Sequence, residues 1–170
     1  MGCFCEIISS IFNFLQKNAS WICAIALAYY AHMQYNIILK QKNLALLEKR
    51  LNLKNKLKEY VDEKLKTCLE PKLNVEIFKG SFENMIDMAN DAHILFNKDI
   101  SEKTINLAKE LEELKTAIHY NIRKNQGEDV RTLELLSETE KDYGYIHAQI
   151  NQNKNLLIEK MHQVMQGDKV

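Results

Sequence analysis

The sequence predicts an all-α protein: an N-terminal transmembrane helix that continues into a long stalk helix, packed with about three further helices as a bundle or coiled coil. Three observations predict it. Helix breakers are scarce, with one proline and five glycines in 170 residues, so long runs meet little that removes a backbone donor or loosens the chain. Apolar residues recur every three or four positions along most of the chain, which is the period of a helix face and not the alternation of a strand. The 22 residues from Asn18 to Leu39 carry no charge; as a helix they reach about 33 Å, enough to cross a hydrocarbon core of roughly 30 Å.

Residues 1–17, MGCFCEIISSIFNFLQK, are apolar with scattered polar groups. They suit an interfacial helix that turns Phe4, Ile8, Ile11, Phe12 and Leu15 toward lipid. Gly2 with Cys3 and Cys5 resembles the start of a doubly acylated chain, but Glu6 stands where the myristoylation pattern wants Ser or Thr. The four cysteines form no C-x-x-C pair and no zinc spacing with the five histidines, so reduced thiols are expected.

Residues 18–39 are expected to span the membrane. Lys17 bounds one end and Lys40 with Lys42 the other, while Trp21 and Tyr35 lie near the two boundaries where interfacial aromatics collect. No basic n-region precedes the run and no A-x-A-like site follows it, which argues against a signal peptide. Asn18-Ala19-Ser20 has the form of a glycosylation sequon but abuts the span. Ser20, Ala24, Ala28 and Ala31 share a helix face as a small-xxx-small stripe, the pattern that lets helices approach closely in a membrane. His32 and Asn36 lie beside it as a candidate polar site at membrane depth.

Residues 40–58 hold seven Lys or Arg (Lys40, Lys42, Lys49, Arg50, Lys54, Lys56, Lys58) against the single acid Glu48. The positive-inside rule then puts the C-terminal part in the cytoplasm, with Lys40 and Lys42 at the lipid headgroups. The stalk is predicted to run from about residue 19 to 68, with Leu46, Leu53, Leu57, Tyr60, Val61, Leu65 and Cys68 as its apolar stripe and Pro71 ending it. Arg50 falls on that stripe and is expected to snorkel into solvent.

Three helices should follow. Ser81 is expected to cap the first, which carries Phe82, Met85, Ile86, Ala89, Ala92, His93 and Phe96. Asp99 with Glu102 resembles a capping box that opens the second, whose seam is Leu107, Leu111, Leu114, Ile118 and Ile122, ending near Gly127. The third pattern runs Leu133, Leu136, Tyr143, Ile146, Ile150, Leu157, Met161 and Val164, with Gly144 as a weak point. Short breaks favour antiparallel neighbours, although a parallel coiled coil would use the same spacing.

Carboxylates cluster as Glu110/Glu112/Glu113 and Glu138/Glu140/Asp142, which read as solvated helix faces. No nucleophile elbow, Walker loop, dinucleotide fingerprint or H-E-x-x-H occurs, so neither catalysis, a cofactor nor a metal is expected. The formal net charge of zero argues against nucleic acid.

Leu44–Val61, LALLEKRLNLKNKLKEYV, and Ala92–Leu111, AHILFNKDISEKTINLAKEL, resemble a loose group of small bacterial proteins with an N-terminal span and a basic amphipathic helix. The likeness covers roughly residues 18–125 and departs from the group at Leu47 and Asn55, where aromatics are common. It implies a bacterial inner-membrane anchor and transfers no functional residue. The organisation expected is an interfacial segment at 1–17, a span at 18–39, a basic stalk at 40–70, a helical bundle at 71–166 and a tail at 167–170. The role expected is a membrane-anchored interaction or scaffold protein that contacts lipid, self-associates and binds a cytoplasmic protein. The alternatives are a phage-type lysis protein, spanin- or holin-like, and a small membrane-active toxin.

Overall fold

The computed structural model describes residues 2–68, 75–125 and 143–167. Helix α1 runs Gly2–Thr67, α2 Ser81–Leu95, α3 Lys98–Asn125 and α4 Tyr143–Gly167, with one 3-10 turn at Val75–Phe78. The described residues are thus helical throughout apart from short connections, as the scarcity of breakers dictates. α1 begins at Gly2 instead of near residue 19, because neither glycine nor proline interrupts the chain between Gly2 and Thr67. Pro71, Gly127, Leu133, Leu136, Glu138, Glu140 and Asp142 lie outside the described residues.

The chain divides into two compact units, Met1–Ala45 and Leu46–Val170. The first is the N-terminal part of α1. The second joins the C-terminal part of α1 to α2, α3 and α4.

In the second unit each helix buries one stripe. α1 contributes Leu53, Leu57, Val61 and Leu65, one residue per helical turn, and α2 contributes Met85, Met88, Ala89 and Ala92. α3 lays down Ile100, Leu107, Leu111, Leu114 and Ile118, and α4 adds Ile146, Ile150, Leu157 and Met161. Phe78 of the 3-10 turn joins the same core. Burying each large apolar chain contributes about 1.5–3 kcal/mol. An exposed ion pair such as Lys98–Glu102, at 3.4 Å, contributes roughly 0–1 kcal/mol. The apolar seams therefore hold the unit together.

Cross-helix bonds fix the directions. Tyr60 pairs with Asn84 at one level of α1 and α2, and Arg50 with Leu95 at another, so these helices run antiparallel. Asp62 meets Lys154, and the Leu65 carbonyl lies 3.3 Å from His147 Nε2, so α4 is antiparallel to α1 as well. Glu110 meets Asn153 and Asp99 meets Lys160 across α3 and α4. The arrangement is an up-and-down antiparallel bundle and not a parallel coiled coil; between α2 and α3 the two-residue link at 96–97 leaves no length for a crossover.

Several local expectations need correcting. Ser81 is the first residue of α2 and not its cap; its hydroxyl donates backward to the Phe78 carbonyl at 2.7 Å. Gly80 occupies the cap position with φ 70°, a left-handed conformation that glycine adopts without a Cβ clash. Asp99 does not open α3. Asn97 does, its Oδ1 accepting the Ile100 N–H at 2.9 Å, while Asp99 and Glu102 are taken up by lysines. Arg50 does not snorkel. It is half-buried, its Nε donating to the Leu95 carbonyl and its guanidinium lying 5.5 Å from the Phe96 ring centroid. A carbonyl left over at the end of α2 and an aromatic face beside it outweigh solvation by water.

Candidate membrane-anchoring site

The first unit contains the residues the sequence proposed as a membrane site: Ser20, Ala24, Ala28, Ala31, His32, Asn36, Lys40 and Lys42. Ser20, Ala24, Ala28 and Ala31 are exposed on α1, and at 100° per residue they fall within about 80° of one another, a single narrow face. The stripe at its side is bulky: Trp21 is 72% exposed and Ile25 and Tyr29 are similarly bare. Leu27, Tyr30, Met33, Ile37, Ile38 and Leu39 are exposed too, so apolar surface surrounds the helix. A helix that is apolar all round is the form that belongs in lipid or inside a large core. Among the described residues this is the one helix long and apolar enough to cross a membrane.

Three of the polar side chains of this stretch, Asn18, His32 and Asn36, make hydrogen bonds along the helix. Asn36 Nδ2 lies 3.1 Å from His32 Nε2, one turn away, and Asn18 Nδ2 donates to the Phe14 carbonyl at 2.8 Å. These i, i+4 bonds consume donors that would otherwise be costly in hydrocarbon. His32 and Asn36 are therefore brought together as a pair, on a face adjoining the small-residue stripe. Lys40 and Lys42 are exposed within the turn that follows Leu39. Cys23 is exposed on the same helix.

The second unit holds polar groups that sequence reasoning placed wrongly or passed over. Lys154, 5% exposed, sits between Ile150 and Leu157 on the seam of α4. It donates to Asp62 of α1 and to Asn151 at 2.8 Å. The signal was present: residues 146, 150, 154, 157 and 161 continue one stripe, and Lys154 is its single polar member. Glu110 does not belong to a solvated face. It lies between α3 and α4, where Oε1 accepts from Asn153 Nδ2 at 2.6 Å. Burial pushes its carboxyl above the usual range, the nearby Glu113 charge pushes the same way, and hydrogen bonds from Asn153 and Gln149 oppose them. Glu112 instead accepts from Lys115 on the surface.

Lys64 is buried with its ammonium 5.0 Å from the Tyr60 ring centroid. Cys68, buried at the end of the same helix, has its thiol pushed up to about 11 by desolvation, which makes it inert as a nucleophile near neutral pH. His147 faces the Leu65 carbonyl and His162 faces Gln166 at 2.9 Å. These pairings tie helices together or decorate single turns.

Compared with known proteins, the chain matches no family model, no curated protein and no solved structure.

Proposed function

We propose that this chain is a single-pass membrane-anchored helical interaction protein. Residues 18–39 cross the inner (plasma) membrane and the bundle is held on its cytoplasmic side. The observation that carries the reading is the exposure of the apolar side chains from Trp21 to Leu39, with no other part of their unit to cover them. In water each would forgo about 1.5–3 kcal/mol of burial. In lipid that cost vanishes, and an unbroken helix satisfies its own backbone groups. The charge asymmetry supports the orientation, since seven of the eight charges between residues 40 and 58 are basic.

The role is non-catalytic. Ser20, Ala24, Ala28 and Ala31 form the self-association face, with the His32–Asn36 pair beside it and Lys40 and Lys42 on the lipid headgroups. A protein partner on the cytoplasmic side would be engaged by the bundle.

Topology in cells tests the reading. With a tag at the C-terminus, the chain should remain in the carbonate-washed membrane pellet, and protease added outside the inner membrane should leave the tag intact. A tag in the soluble fraction would refute the anchor. A pelleted but cleavable tag would reverse the orientation and favour a lysis protein with an external helical domain.

A further inference from the structure

We infer that the His32–Asn36 pair joins two copies of this chain inside the membrane, His32 of each copy donating to the Asn36 side-chain oxygen of the other. The inference rests on the spanning of residues 18–39 and names the partner of the face proposed there. Asn36 Nδ2 lies 3.1 Å from His32 Nε2. An amide nitrogen only donates, so Nε2 accepts and the uncharged ring carries its hydrogen on Nδ1. Three groups of the pair are then left over: His32 Nδ1–H, the second N–H of Asn36, and Asn36 Oδ1 with two lone pairs. Neither side chain makes a further hydrogen bond among the described residues, and both are exposed on α1. His32 lies about 5 Å past the middle of the 18–39 segment and about 10 Å short of its Leu39 end, which puts headgroups and interfacial water out of its reach. In hydrocarbon a donor without a partner is costly.

Two donors and two lone pairs make the pair complementary to itself, and a second copy is the partner that supplies the match. Charge sets one orientation for every copy, so copies meet parallel, with residue 32 at the same depth in both. The polar atoms of His32 and Asn36 already stand at one level, 3.1 Å apart. Exchange across a two-fold axis therefore needs no shift along the helix, and the contact is isologous, His32 to Asn36 and Asn36 to His32. The sequence also lets the backbones come close at this place. Ser20, Ala24, Ala28, His32 and Asn36 follow one another every four residues, forming a single row along the helix surface. Rows of this spacing interdigitate when two helices cross at about −40°, and small residues along them permit the approach. Ser20, Ala24 and Ala28 thus allow the contact, and the polar pair fixes its register.

Association is measured by energy transfer between full chains carrying a donor or an acceptor fluorescent protein at the C-terminus. The chains are reconstituted in vesicles of phosphatidylcholine and phosphatidylglycerol over a range of protein-to-lipid ratios. His32→Leu and Asn36→Leu each make the span more apolar, so neither hinders insertion. Each should weaken association by about tenfold to a hundredfold, the loss of two interhelical bonds of the strength found in membranes. The double variant should lose little more, since every bond needs both residues. Mixing the two single variants is the decisive comparison. His32 kept on one copy then meets Asn36 kept on the other, one bond returns, and the mixture should associate several-fold more strongly than either variant alone. Association of native strength in both single variants, or a mixture no stronger than its components, would overturn the inference and leave self-association through the small residues standing. A native chain that resists carbonate washing but shows no energy transfer would remove self-association, and the inference with it. A native chain that washes off would remove the span as well.

Discussion

Replacing Lys154 by Met should leave the bundle as stable as before or more so, whereas removing its partner with Asp62→Ala should weaken it. The side chains are unequally buried: Lys154 is 6% exposed and Asp62 43%. In Asp62→Ala the ammonium stays in the seam with Asn151 alone, at 2.8 Å. Stranding a fully buried charge costs about 3–5 kcal/mol. Water reaching the vacated Asp62 position reduces this toward the cost of an unmade hydrogen bond, about 1–3 kcal/mol. In Lys154→Met the stem volume beside Ile150 and Leu157 is kept, the charge disappears, and the half-exposed Asp62 returns to water. The expected change lies between about zero and 1 kcal/mol of added stability, the low end of what apolar replacement of buried pairs yields.

Pulse proteolysis across a urea series, with the full chain in mild detergent, measures both. The double variant should resemble Lys154→Met, because Asp62 then has no cation to serve. If Lys154→Met costs more than Asp62→Ala, the ammonium is a net source of stability and the reasoning fails.

Three other outcomes are expected. Gly80→Ala should cost about 1–2 kcal/mol by the same assay, because φ 70° is unfavourable for a residue with a Cβ; nothing stands within 4 Å of the added carbon, so an unchanged midpoint would mean the backbone relaxes freely. Glu110 has a folded pKa raised mainly by burial. Its contribution is fully present below the unfolded value of about 4.3 and is lost as pH rises through the folded value. Glu110→Gln should therefore flatten the fall in urea midpoint as pH rises above the unfolded value of about 4.3, and an unaltered slope would contradict the assignment. Replacing Ala24 and Ala28 together by Ile should abolish in-membrane crosslinking between copies, since β-branched bulk on a close-packing face separates helices; a persisting ladder would move self-association to the bundle.

The helices themselves were legible because their signals are local. Leu53, Leu57, Val61 and Leu65 on α1, or Leu107, Leu111 and Leu114 on α3, declare a buried face through spacing alone, and a chain with one proline has little means to interrupt it. The length and uncharged character of residues 18–39 are equally readable, since both are properties of a linear segment. Helix ends were less so. Ser81 and Asp99 have good capping side chains, but the cap falls where the backbone leaves the helical region, and that was Gly80 and Asn97.

What only the tertiary structure decided is what each polar residue on an apolar stripe meets. The same three- and four-residue spacing serves a parallel coiled coil and an antiparallel bundle. The choice appears in pairs far apart in sequence, Arg50 with Leu95, Asp62 with Lys154 and Glu110 with Asn153. Arg50, Lys154 and Glu110 carry the same side chains that solvated faces carry elsewhere in the chain. Their burial follows from neighbours supplied by other helices, and desolvation and pairing energies depend on those neighbours and not on the residue's own place in the sequence.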